Sequence, residues 1–192
     1  SKPYKTLVEF IEYARKNPGK ATFGSSGIGT GGHLAGELFQ LTTGVQMLHI
    51  PYKEASSLNA DLHGGRLDVV FDFIPVVASQ IKSAKLVGLG ITSENRNKNF
   101  SEIPTFKESG YNITITSWNS IMVPAQTSPA IIKRISDAAK AAAKSPESLR
   151  FERDFDTISI SHMGPEMLRQ FIVSESEVFR NIVAKTGLSI DN

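Results

Sequence analysis

The segment best suited to bind a ligand is the glycine-rich run FGSSGIGTGGH, which covers residues 23–33 between a predicted strand and a predicted helix. Successive backbone amides at the start of a helix lie at the positive end of its dipole and can bind an anion. Glycine lets the backbone approach the ligand closely. The alternative is that these glycines only form a tight turn between strand and helix. The ligand contacts expected from this run are Ser25, Ser26, Gly27, Gly29, Thr30 and Gly31.

The same run can be compared with nucleotide-binding and catalytic motifs. Gly27, Gly29 and Gly32 have the G-x-G-x-x-G spacing of dinucleotide-binding loops, and Glu54 falls near the place of a ribose-binding acid. That motif is weak by itself. No lysine follows the glycines as in a Walker loop, and Ile28 stands where a nucleophile elbow needs its second glycine. Since no base, nucleophile and orienting group can be placed together, we expect no enzyme, with a nucleotide-dependent enzyme as the less favoured alternative.

Asp72 is the acidic residue best placed to join the glycine run. It follows a predicted buried strand over 67–71, and ligand groups gather at the carboxyl ends of the strands in open α/β sheets. Asp68 has an equal compositional claim, or it is simply solvated. We expect Asp72 to be the residue that contacts the ligand.

Composition and the four histidines exclude several other functions. The histidines, at positions 33, 49, 63 and 162, show no metal-ligand spacing, and His49 lies in an apolar strand where a hydrogen-bonded core imidazole is expected. A net charge of +2, spread along the chain, does not favour nucleic acid as a partner. The chain has no cysteine, and no stretch approaches the roughly 20 apolar residues of a membrane span. We expect a soluble protein without metal or cofactor.

The elements around these residues alternate between strand and helix. Thr6 and Glu9 form a predicted capping box ahead of an apolar helical pattern, and Gly44 is a predicted helix stop. This alternation predicts an α/β fold with a mostly parallel sheet and helices on both faces. Predicted strands cover 20–23, 47–50, 67–71, 86–91, 113–121 and 157–161, and predicted helices begin at Leu7, His33, Leu58, Pro75, Pro129 and Pro165.

A series of short motifs follows in order along nearly the whole chain. They are NPGK at 17–20, FGSSGIGT at 23–30, HLAGELF at 33–39, HIPYK at 49–53, GGRLDV at 64–69, FD at 71–72, ITS at 91–93, PT at 104–105 and TSW at 116–118. The series resembles the substrate-binding proteins of tripartite tricarboxylate transporters, the TctC or Bug family of bacterial periplasmic receptors.

The resemblance implies a function as well as a fold. It implies a periplasmic binding protein of type II-like fold, with two lobes that close on a small carboxylate held by backbone amides, one loop being residues 25–30. The implied partners are a di- or tricarboxylate, an amino acid or an aromatic acid, and the membrane permease of the transporter. The effector-sensing domain of a transcription regulator shares this lobe architecture and is the alternative.

The resemblance also predicts how the chain divides. Residues 3–116 are expected to form the ligand-capturing lobe, and residues 117–192 a return segment that belongs to the other lobe. The first third of a full-length family member has no counterpart in this sequence, so the other lobe is expected to be incomplete. Apolar residues of the return segment then need a partner, and we expect self-association, a domain swap or a complementary fragment.

Overall fold

The computed structural model describes residues 2–188, which contain three strands and seven α-helices. The strands are β1 (Ala21–Ser25), β2 (Met47–Pro51) and β3 (Val69–Val70). The helices are α1 (Leu7–Lys16), α2 (Gly31–Thr43), α3 (Ala55–His63), α4 (Ile74–Lys82), α5 (Pro129–Ala142), α6 (Pro146–Phe155) and α7 (Pro165–Thr186), and a 3₁₀ turn covers Lys98–Phe100.

The three strands form a parallel sheet in the order β2-β1-β3. Phe23 at the middle of β1 is in register with His49 on β2 and with Val69 on β3. Parallel neighbours require crossover connections, and α2 and α3 lie in the chain segments that link them. The carboxyl ends of all three strands therefore meet at one edge, where the glycine run and Asp72 begin. This confirms the predicted α/β class and its parallel sheet.

Helix α1 forms where the capping box and the apolar spacing predict it. The Thr6 hydroxyl accepts a hydrogen bond from the Glu9 amide, and the Glu9 carboxylate accepts one from the Thr6 amide. Two amides that would otherwise lack partners at the helix start are thereby satisfied. The helix buries one apolar face in the core of the protein. That face consists of Leu7, Phe10, Ile11 and Ala14.

Helices cover both faces of the sheet at β1. Phe23 packs on one face against α2, where a Cβ placed on Gly36 would lie 2.2 Å from the Phe23 ring. Gly24 faces the opposite side, where its Cβ position lies 3.5 Å from Leu58 of α3. Because successive residues of a strand point to opposite faces, α2 and α3 lie on opposite sides of the sheet.

Three predicted strands are wrong. Residues 86–91, 113–121 and 157–161 have no strand ladder, and β3 covers only two of the five residues predicted for it. The first of these segments makes a single parallel bridge, between Ile91 and Thr105. An apolar alternating pattern indicates which face is buried, but a strand also needs a continuous hydrogen-bonded ladder with a neighbour, and within the described residues these segments make only isolated bonds.

The described residues divide into two compact units. The first comprises the chain up to Ser117 and the residues from Val178 onward, and it contains the sheet and α1–α4. The second is Trp118–Glu177, with α5, α6 and most of α7. The lobe boundaries at 3–116 and 117–192 stay a prediction. No helix among residues 2–188 is long and apolar enough to cross a membrane.

The second unit is helical and sparsely packed. Neither α5 nor α6 has a buried residue, and α6 was not predicted from the sequence. Trp118 lies edge-on to Phe171 with 5.4 Å between ring centroids. Its indole N–H donates to the Glu175 carboxylate at 3.1 Å. Within this unit, Trp118 therefore has a packing and hydrogen-bonding role.

Asp68 is buried and paired, so the interpretation that it is solvated is wrong. Its side chain is 5% exposed and accepts hydrogen bonds from the Lys2 ammonium at 2.7 Å, the Tyr4 hydroxyl at 3.2 Å, and the amide and hydroxyl of Thr22 at 2.9 and 3.0 Å. Burial by itself would raise the pKa of Asp68, but the bonds from Lys2 and Thr22 outweigh it and lower the pKa. Asp68 thus joins the start of the chain to β1 and β3.

Candidate anion-binding site

The glycine loop, residues 26–30, connects the carboxyl end of β1 to the first residue of α2. Its sharp turn depends on Gly27 and Gly29, whose φ angles are 134° and 76°. Residues with a Cβ rarely adopt these values, so glycine is required at both positions. Thr30 is extended, with ψ at 161°, and immediately precedes the helix. The local sequence thus places a helix N-terminus at the edge of the sheet where ligands bind in parallel α/β folds.

Several loop amides are used to hold the loop itself. The Gly27 amide donates to the Ser25 hydroxyl at 3.2 Å, the Gly29 amide to Nδ1 of His33 at 3.0 Å, and the Thr30 amide to the Gly27 carbonyl at 3.4 Å. The Thr30 hydroxyl also donates to the Gly27 carbonyl, at 2.7 Å. The amides of Gly27, Gly29 and Thr30 therefore shape the loop.

Other amides of the same run remain free. Within residues 2–188, the amides of Ser26, Ile28, Gly31 and Gly32 donate no hydrogen bond to a protein atom. Gly31 and Gly32 occupy the first turn of α2, where the helix dipole is positive. These four free amides in seven consecutive residues can donate hydrogen bonds to the oxygens of an anion. Of the residues predicted to contact a ligand, Ser26 and Gly31 offer a free amide, while contact itself stays a prediction.

The segment after β3 lies against this loop. A Cβ placed on Gly32 would be 2.7 Å from the Phe71 carbonyl oxygen, and one placed on Gly31 would be 3.7 Å from the Phe73 ring. Asp72 lies between Phe71 and Phe73, and its carboxylate accepts a hydrogen bond from the Phe73 amide at 2.8 Å. The structure therefore brings the glycine loop and the Asp72 segment together, as the sequence predicts.

The surroundings of the Asp72 carboxyl group affect both its charge and the groups it can bind. Partial desolvation raises its pKa above the usual aspartate range, although the Phe73 amide acts in the opposite direction. The residue itself remains exposed. A second anion beside the ionised carboxylate would be repelled, whereas a hydroxyl or amino group can donate a hydrogen bond to it.

Two histidines behind the loop were not predicted as part of the site. His33 from α2 and His49 from β2 stack with 3.9 Å between ring centroids, and Nε2 of His49 lies 2.7 Å from the Ser25 hydroxyl. The hydrogen bond expected for His49 is confirmed, although its ring is only partly buried, and the contact with His33 could not be read from spacing. Among residues 2–188, no group of three His, Cys, Asp or Glu side chains could hold a metal ion.

Comparison with known proteins identifies the family. The sequence profile of the tripartite tricarboxylate transporter family receptor, TctC, matches residues 1–188. The chain belongs to this family. The TctC profile extends over the glycine loop, Asp72 and both compact units, which confirms the resemblance seen in the sequence motifs.

Individual members of the TctC family agree with this assignment. A Cupriavidus necator protein described as "UPF0065 protein in gbd 5'region" is 36% identical over 97% of this chain, and Bordetella pertussis protein BugT is 32% identical over 96%. The solved structure of the periplasmic binding protein BugD is 25% identical, superposes with a TM-score of 0.91 and covers 98% of this chain. The chain spans 57% of each of the first two relatives and 64% of BugD.

Proposed function

We propose that this protein is a periplasmic solute-binding receptor that captures a small carboxylate and presents it to the membrane permease of a tripartite tricarboxylate-type transporter. The observation that carries the proposal is the set of free amides in Ser26, Ile28, Gly31 and Gly32 at the start of α2, in a chain of the TctC family. In this proposal, residues 3–116 capture the ligand, and residues 117–192 return to the other lobe. Family membership favours a receptor over an enzyme.

A carboxylate fits the free amides better than a neutral ligand does. Hydrogen bonds to a charged acceptor are stronger than neutral ones, and the positive end of the α2 dipole adds to the attraction. Two solved proteins share this fold at 24% and 19% identity, with TM-scores of 0.85 and 0.86; the first was solved with adipate and the second with malate. These dicarboxylates are bound by those proteins, and they provide suitable probes for this one.

The proposal predicts that removing one free amide weakens carboxylate binding. Gly31→Pro removes the amide at the first helical position, where proline is well tolerated, and the extended Thr30 suits a residue before proline. One charge-assisted hydrogen bond contributes about 1.5–3 kcal/mol, so the Kd should rise roughly 10- to 150-fold. Gly31→Ala is the matched control, because it keeps the amide and its Cβ meets only an ordinary contact with Phe73.

Calorimetric titration at pH 7 with malate, adipate and citrate measures this effect. Binding of at least one of these acids by the wild type and by Gly31→Ala, with the expected loss in Gly31→Pro, would support the site. Equal affinity in all three proteins would show that the Gly31 amide makes no contact. NAD is the control for the nucleotide alternative, and tight NAD binding would contradict the receptor assignment.

We also propose that the protein self-associates through the second unit. Its large apolar side chains are unusually exposed, with Ile158 at 86%, Ile121 at 64% and Met122 at 63%. Burying such side chains on a second copy gains about 25 cal/mol for each Å² of apolar surface removed from water. Light scattering should show a mass that rises with protein concentration. Ile158→Ser should reduce this rise, whereas a monodisperse wild-type monomer across the concentration range would contradict the proposal.

A further inference from the structure

The stacked imidazole pair behind the glycine loop makes no ligand contact in the proposed function. His33 is 4% exposed, and its ring lies nearly parallel to that of His49, with 13° between the planes. Phe23 from β1 stacks on the His49 ring with 4.8 Å between centroids. The pair is therefore fixed by α2, β2 and β1, the elements that also fix both ends of the loop.

Hydrogen bonding determines the protonation state of His33. The Gly29 amide donates to Nδ1 at 3.0 Å, so this nitrogen carries no proton and the neutral ring holds its proton on Nε2, 3.6 Å from the Glu37 carboxylate. Protonation of Nδ1 would set two N–H donors against each other. The bond between Gly29 and His33 would break, and the middle of the loop would lose the side chain that orients it.

Few groups act on the charge of this pair. In the described part of the chain, they are Glu37 on α2, which acts on His33, and His33 itself, which acts on His49. Strand β1 contributes the Phe23 ring and the Ser25 hydroxyl, which do not titrate at these pH values. Burial, and then the neighbouring His33, lower the pKa of His49 to about 4. Burial also lowers the pKa of His33, although Glu37 opposes it. Both rings are neutral at pH 7.

We propose that His33 is a positioning residue that holds the glycine loop in its anion-binding conformation through Gly29, and that anion binding requires the His33–His49 pair to remain neutral. The inference rests on the proposed function, because the loop must bind an anion for its conformation to matter. Protonation of either ring adds a positive charge to the stacked pair, whose burial disfavours the charged form of both imidazoles. Protonation at Nδ1 of His33 removes the acceptor of the Gly29 amide, and the loop conformation is lost with that hydrogen bond.

This mechanism predicts a pH dependence of anion binding opposite to that expected from electrostatic attraction alone. A positive charge near an anion site should strengthen binding as the pH falls. Here protonation of His33 removes the hydrogen bond from Gly29, so binding should weaken as the pH falls below the usual histidine range. A ligand carried by this protein would be held at neutral pH and released in acid.

The first test observes the loop without ligand. Nitrogen NMR of the 192-residue chain should show His33 unprotonated at Nδ1 and protonated at Nε2 at pH 7. Between pH 7.5 and 4, the Gly29 amide resonance should shift with the same midpoint as the His33 ring. A Gly29 resonance that does not follow His33, or a His33 proton on Nδ1 at pH 7, would overturn the inference whether or not a ligand binds.

The second test compares two His33 variants for malate binding. Asparagine places an amide oxygen close to the position of Nδ1, so His33→Asn keeps an acceptor for Gly29 but does not titrate. His33→Leu keeps the bulk of the side chain and removes the acceptor. At pH 7 we expect the Kd of His33→Asn to remain within about threefold of the wild type and that of His33→Leu to rise roughly tenfold, one neutral hydrogen bond.

The ratio of the wild-type Kd to the His33→Asn Kd isolates the effect of pH. Titration of malate itself cancels in this ratio. We expect the ratio to rise as the pH falls from 7 through the lowered pKa of His33, toward the roughly tenfold loss expected for His33→Leu. A constant or falling ratio would contradict the acid-sensitive role, while the proposed function would stand. If no variant binds malate at pH 7, the carboxylate proposal loses this ligand, and the NMR experiment still decides whether the pair controls the loop.

Discussion

Replacing Asp68 with alanine should lower the free energy of unfolding by about 1.5–3 kcal/mol, because Thr22 loses a charged acceptor while the Lys2 ammonium, on a side chain 31% exposed, can return to water. Asp68 accepts four hydrogen bonds, and its removal leaves the Lys2 ammonium without its carboxylate and the amide of Thr22 without its acceptor. Because the pKa of Asp68 is lowered in the folded protein, its contribution is complete above the usual aspartate pKa and is lost as the pH falls through the lowered value.

Asp137→Ala is the matched control for this substitution. Asp137 also pairs with a lysine, Lys133 at 2.6 Å, but the two side chains are 56% and 78% exposed. An exposed pair one helical turn apart contributes about 0.3–0.5 kcal/mol, so the control should unfold almost as the wild type does. Urea denaturation at pH 7 measures both variants. Equal midpoints for Asp68→Ala and Asp137→Ala would mean that Asp68 does not join the start of the chain to the sheet.

The sequence predicts elements well where the signal is local. The Thr6–Glu9 capping box begins α1, Gly44 ends α2 with φ at 70°, and prolines stand at the first positions of α5 and α7. Each of these signals acts within one helical turn. They need no knowledge of the rest of the fold, which is why they hold here.

The wrong strands show the limit of local patterns. Residues 86–91 carry the apolar residues of a strand, but their backbone makes only the bridge from Ile91 to Thr105. Gly88 and Gly90 instead bring the chain against Ile103 and Phe106, where a Cβ would lie 2.2 and 3.0 Å from those side chains. Close packing of this kind depends on which distant segment lies beside residues 86–91, and a pattern along one segment contains no such information.

The sequence predicts the part of the candidate site that depends only on the topology of the sheet. The glycine loop and Asp72 follow two neighbouring parallel strands, so the sheet brings them together. The contact between His33 and His49 was missed, because it depends on a register that pairs β1 with β2 and on the face of α2 that packs there. The Asp68 network was missed for the same reason, since Lys2 lies 66 residues away in sequence.

Gly36 in α2 shows how the helix behind the loop is packed. A Cβ at this position would lie 2.2, 2.5 and 2.8 Å from three atoms of the Phe23 ring, distances that real Cβ atoms essentially never show. Phe23 is fully buried and stacks on His49, so its ring cannot move away without disturbing the imidazole pair. The absence of a side chain at Gly36 is therefore a condition for the close approach of α2 to the sheet.

Gly36→Ala should consequently destabilise the protein, although glycine to alanine within a helix normally stabilises it by about 0.8–1 kcal/mol. Overpacking of a buried core costs about 1–3 kcal/mol, and a clash with a fully buried ring lies at the upper end, so we expect a net loss of about 2 kcal/mol. Gly31→Ala adds the same methyl group at the first position of the same helix, where its nearest contact is 3.7 Å, and should be at least as stable as the wild type. Thermal and urea denaturation compare the three proteins, and Gly36→Ala as stable as Gly31→Ala would show that α2 does not pack this closely on Phe23.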